Sequence, residues 1–124
     1  MKKPLGTLFA VLAVLASQVH AASLTCGGKV TQVTLHASDK FMVQLDSMNV
    51  PAFFCQPNAT WTPAGAGYST SAETCRALIA IFLAAKAQDK AFSAVYFDGD
   101  DVPAACNSWT AWKSVSIRYF LWAD

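Results

Sequence analysis

The side chains best suited to acid–base chemistry are few. His36 stands at the end of an alternating apolar stretch, and Asp98-Gly99-Asp100-Asp101 gathers three carboxylates in four residues. A small hydrolase or inhibitor would have to use these groups, with His36 as base and the Asp98–Asp101 cluster as acid or cation ligand. The pattern argues against both uses. No Ser-His-acid or Cys-His set can be assembled around His36 if every cysteine is paired. The aspartate run lacks the twelve-residue loop and terminal glutamate of an EF-hand, and it reads as a turn that ends a strand. No glycine-rich phosphate loop is present. The expectation is therefore a protein that is not an enzyme and needs no metal or other cofactor.

Aromatic side chains offer a different chemistry. Trp61 and Tyr68 lie in a loop rich in Gly and Pro, and Trp109 and Trp112 lie in a second loop that also holds Cys106. Exposed indole and phenol rings stack on sugar rings or pack into protein partners, with the polar edge still able to hydrogen-bond. Trp61, Tyr68, Trp109 and Trp112 are accordingly the candidate contact residues for a glycan or a protein.

These residues need a scaffold, and the periodicity supplies one. Lys29 to His36 alternates with one irregularity near Gln32 that predicts a bulge, and Phe41 to Asp46 alternates again after the polar turn Ala37-Ser38-Asp39-Lys40. A third strand is expected over about Val50–Cys55, with Pro51 near its start where a missing N–H costs least. Residues 56–70 read as loop. Thr70 and Glu73 form a capping-box pattern that opens a helix over about Ser71–Gln88, with Cys75, Leu78, Ile79, Phe82 and Ala85 on one face. That helix is apolar almost all round, which suits either alanine's tolerance of exposure or burial against a second chain. Ala91–Phe97 reads as a fourth strand and Ser114–Trp122 as a fifth, in which Val115, Ile117, Tyr119 and Leu121 alternate with the intervening residues.

Three strands, a helix and two strands match the OB-fold, a five-stranded Greek-key barrel with its helix between strands three and four. Four cysteines, Cys26, Cys55, Cys75 and Cys106, are spaced 29, 20 and 31 residues apart, too far for close-paired zinc ligands. Their number alone allows three connectivities. In an OB barrel the first strand pairs with the fourth, and the third ends near the helix start, so the topology selects Cys26–Cys106 and Cys55–Cys75.

The N-terminus sets the compartment. Lys2 and Lys3 precede a twelve-residue apolar run, Leu5–Ala16, and Val19-His20-Ala21 offers a signal-peptidase site. The run is too short to span a bilayer. Residues 1–21 thus read as a signal peptide of bacterial type, and residues 22–124 as a single domain that is periplasmic or secreted, with no membrane span after cleavage. The 103 residues from Ala22 carry seven basic and eight acidic side chains and no basic patch, which argues against nucleic acid as a partner.

With these elements in place, Lys29-Val30-Thr31-Gln32-Val33, Val50-Pro51-Ala52-Phe53-Phe54-Cys55, the capped helix and the final strands resemble the B subunits of subtilase cytotoxin and pertussis-like toxins. The chain is also similar to small exported bacterial proteins, with Cys26-Gly27-Gly28-Lys29 at its opening (one glycine longer than theirs) and Leu83-Ala84-Ala85-Lys86 at the helix end. The resemblance implies an OB barrel that assembles as a homo-oligomer, a ring of five lined by its helices, and that binds cell-surface glycans. The family's sialic-acid-contacting serine falls on Cys26, so no sialic-acid residue transfers. A stand-alone periplasmic protein binding another envelope protein is the alternative.

Overall fold

The computed structural model describes residues 1–2 and 22–123. Apart from Met1 and Lys2, the expected signal peptide lies outside the described residues. Five strands and one helix follow in the order β1 (Ser23–His36), β2 (Lys40–Leu45), β3 (Ala52–Cys55), α1 (Ala72–Ala87), β4 (Ala91–Asp98) and β5 (Ser116–Trp122). They form one mainly antiparallel sheet ordered β3-β2-β1-β4-β5. A parallel bridge links Phe53 of β3 to Ser114, two residues before β5 begins. No helix among the described residues is long and apolar enough to cross a membrane.

β1 does double duty. Its first half, Ser23 to Lys29, pairs with β4, and its second half, Val30 to His36, pairs with β2. Register shifts at Cys26/Gly28 and Val30/Gln32 lie where the partner changes, the second being the expected bulge. Bulges bend a strand and increase its twist, which lets one strand serve two partners. Gly28 has φ 121°, and a Cβ there would collide with the Asp46 carboxylate, which accepts the Lys29 backbone N–H. With no Cβ, Gly28 adopts the conformation that this bend requires.

α1 buries Cys75, Leu78, Phe82 and Ala85 at helical spacing. Phe82 packs edge-on against Phe54 at 5.5 Å and Phe92 at 5.3 Å in the hydrophobic core. Ala77, Ala80, Leu83, Ala84 and Ala87 on its other side are exposed. The disulfides are Cys26–Cys106 and Cys55–Cys75, the two pairs expected from the strand order.

Three local expectations are corrected. The helix cap is Ser71, whose Oγ accepts the Thr74 N–H, and not Thr70 with Glu73. Thr70 is held one residue too early, by paired backbone bonds with Trp61 at 2.8 and 2.9 Å. β1 starts earlier than Lys29, so Cys26 sits within the strand opposite Val95. The alternation of β5 also breaks. Tyr96 faces Tyr119 while Phe97 faces Ile117, so Arg118 is extra and the pattern shifts face: Val115 and Ile117 are buried, but Tyr119 and Leu121 are exposed.

Candidate functional site

β2 determines which residues can line a site. Val43 and Leu45 are fully buried in the core, so the alternate positions Lys40, Met42 and Gln44 lie on the opposite face of the sheet. Met42 pairs with Thr34 on β1 and Phe53 on β3, and Lys40 pairs with His36. Met42 and Phe53 are nevertheless buried, because the loop between β4 and β5 lies over them.

That loop is tied down at several points. Cys106 bonds to Cys26. The Asn49 side chain donates to the Trp109 carbonyl at 2.7 Å and accepts the Trp109 N–H at 2.8 Å. Phe53 N–H donates to the Lys113 carbonyl at 2.8 Å, and Asp101 accepts the Ser114 N–H at 3.2 Å. Trp112 is held among these anchors with φ 67°, a left-handed conformation that a bulky residue adopts at an energetic cost.

Trp112 is 61% exposed. The His36 ring meets it edge-on at 4.8 Å and meets Phe53 edge-on at 5.4 Å, with Phe53 and Trp112 5.9 Å apart. Beside this cluster Met42, Val50, Pro51, Ala111 and Trp112 line an apolar depression of about 160 Å³. Lys40 Nζ sits 5.5 Å over the Phe53 ring and 5.6 Å over the Trp61 ring, and pairs with no carboxylate among the described residues. Ser38 N–H donates to His36 Nδ1 at 3.2 Å, so a neutral ring carries its proton on Nε2. The Ser38 hydroxyl also lies 2.8 Å from Nδ1. No carboxylate among the described residues hydrogen-bonds this ring, so the pair lacks the third group that orients a catalytic histidine. The arrangement offers an apolar wall, an exposed indole, an N–H donor and an ammonium, which are means of holding a ligand.

The four candidate rings divide. Trp61 is 6% exposed, its Nε1–H donating to the Val115 carbonyl at 2.8 Å, and Trp109 is 2% exposed against Phe97. Both are spent in the core, which removes them from the set of surface contacts. Tyr68 is half-buried and clamps its loop by donating to Asp98 Oδ2 at 2.8 Å. Burial, then that hydrogen bond and the Asp98 charge, hold its hydroxyl well above the usual tyrosine range. Trp112 alone is both exposed and part of a depression.

The aspartates diverge. Asp98 is buried and takes a two-pronged bond from Arg118, Nε to Oδ2 at 2.8 Å and Nη2 to Oδ1 at 2.7 Å. Asp101 turns to Ser114 and Lys113, and Asp100 lies against Gly65. Among the described residues no His, Cys, Asp and Glu side chains group to hold a metal ion. Lys40, Met42, Val50, Pro51 and Phe53 were not legible as site residues from composition. The available signal was a lysine and a methionine on the outward positions of a strand whose Val43 and Leu45 point in.

No protein-family model, curated protein or solved structure matches the chain.

Proposed function

We propose that the chain is an exported, non-enzymatic binding domain built on an OB-type barrel, resembling toxin B subunits, that recognises a glycan or a protein partner through the face centred on Trp112. The observation that carries this reading is the exposed Trp112 ring, held in a strained backbone over an apolar depression. Strain is retained where the surrounding structure over-determines it, and it concentrates at ligand sites.

The strand order supports the barrel assignment, and OB barrels bind along strands two and three between the loops that follow strands one and four. His36, Lys40, Met42, Phe53 and Trp112 occupy that position. This is analogy of fold, so the side chains carry the functional argument. Two disulfides and the apolar run at Leu5–Ala16 support an oxidising compartment, the periplasm or the medium. The exposed Ala77, Ala80, Leu83 and Ala84 face of α1 is available for self-association into a ring. The alternative, a stand-alone protein with an envelope partner, uses the same face.

Trp112→Ala tests the reading. Because the ring is mostly exposed but packs on His36 and Phe53, the variant is expected to lose about 1–2 kcal/mol of stability and to remain folded. On a glycan array and a peptide array read in parallel, it is expected to lose wild-type signals about tenfold or more, the scale of an aromatic anchor. Signals that survive the substitution would place recognition elsewhere.

A further inference from the structure

Resting on that reading of the Trp112 face, we infer that its occupant is a peptide segment of a partner protein carrying one apolar side chain next to a carboxylate. The walls of the depression are Met42, Val50, Pro51, Ala111 and Trp112, so a sugar seated there would surrender its hydroxyl hydrogen bonds to water and receive none. Its volume of about 160 Å³ is below the roughly 300–1,000 Å³ of sites that enclose a whole small ligand. It suits a single anchoring side chain, as at the centre of a protein interface.

Charge complementarity supplies the second half. The Lys40 ammonium lies over the Phe53 and Trp61 rings, with no carboxylate partner among the described residues. Phe53 in turn stands 5.9 Å from Trp112, so the ammonium and the indole that walls the depression both neighbour the same ring. Lys113, the next residue after Trp112, is partly exposed and reaches Asp101 at 3.9 Å. His36 Nε2–H adds a donor at the same rim. The negative charges nearby in sequence are Asp39, exposed at the tip of the β1–β2 turn, Asp46, whose carboxylate accepts the Lys29 N–H, and Asp101. A cation held by rings keeps a fixed position yet leaves its charge unneutralised, which is what an incoming carboxylate requires.

The test uses the mature chain and an array of capped octapeptides with one central Leu, Ile, Phe or Met, flanked by Asp/Glu, by Ser or by Lys. Acid-flanked peptides are expected to bind about tenfold more tightly than lysine-flanked ones at low salt, with the preference shrinking as ionic strength rises. Lys40→Met, which keeps the stem over the rings, is expected to lose most of that preference while retaining the apolar contact. Lys113→Met gives an independent check on the same rim. Trp112→Ala is expected to abolish binding of all three sets. Equal affinity for the three flanks would overturn the carboxylate. Binding to glycans and to no peptide would overturn the peptide while leaving the Trp112 site intact. Peptide binding that survives Trp112→Ala would overturn the site itself.

Discussion

Replacing Cys26 and Cys106 together by alanine is expected to lower the unfolding free energy by about 4 kcal/mol. The bridge spans 80 residues, so in the reduced unfolded chain a very large loop regains its freedom. Native domains hold only about 5–15 kcal/mol in total. At about 4–8 °C per kcal/mol for a domain near 100 residues, the melting temperature should fall by more than about 15 °C. The cost reaches function as well, because Cys106 belongs to the loop that carries Trp112, and its loss leaves that loop anchored by the buried Trp109 ring and by its hydrogen bonds to Asn49, Phe53 and Asp101. A change below about 1 kcal/mol in a denaturant titration would mean that the reduced chain is already constrained by residual structure.

Phe82→Ala should cost a similar amount, about 3–5 kcal/mol, through lost burial, an unfilled cavity and lost ring contacts. The side chain is fully buried and touches Phe54, Phe92 and Phe120 at centroid distances of 5.5, 5.3 and 6.1 Å. The adjacent Leu83 is 48% exposed on the helix's outer side, so Leu83→Ala should stay within about 0.5 kcal/mol in the isolated chain. Equilibrium unfolding of the pair therefore reads both faces of α1. A cost at Leu83 approaching that at Phe82 would show that the outer face is packed against another copy, as the ring of five requires. A small cost at Phe82 would contradict the core described here.

The framework of five strands, one helix and two disulfides was legible in the sequence because its signals are periodic and local. Alternation set the strands, helical spacing set the face of α1 that holds Cys75 and Phe82, and strand order brought the cysteines together in the right pairs. What it did not carry depends on contacts distant in the chain. Thr70 has the residue type of a cap, but a backbone pair with Trp61 claims it first. Arg118 is drawn to the buried Asp98 carboxylate, and the bulge there turns Tyr119 and Leu121 outward in a way that no alternating pattern announces. Trp61, Trp109 and Trp112 are alike as residue types in polar loops. Only the path of each loop over the sheet decides that two fill the core and one stays at the surface. Of the four candidate rings, Trp112 is the one that is exposed beside a depression, and the strand residues beneath it, Met42 and Phe53, carry no signal in the sequence because buried outward positions exist only once a loop covers them.

The proposed binding face is the outward side of β1–β3 beneath Trp112. It is tested by a two-dimensional NMR titration of the isotope-labelled domain, residues 22–124, with the tightest-binding member of the glycan and peptide arrays. Binding there should give saturable shifts in the Trp112 indole N–H and in the His36, Lys40, Met42 and Phe53 amides, with Arg118, Tyr119 and Leu121 unmoved. Shifts that gather instead on Arg118, Tyr119 and Leu121, leaving the Trp112 indole in place, would contradict it.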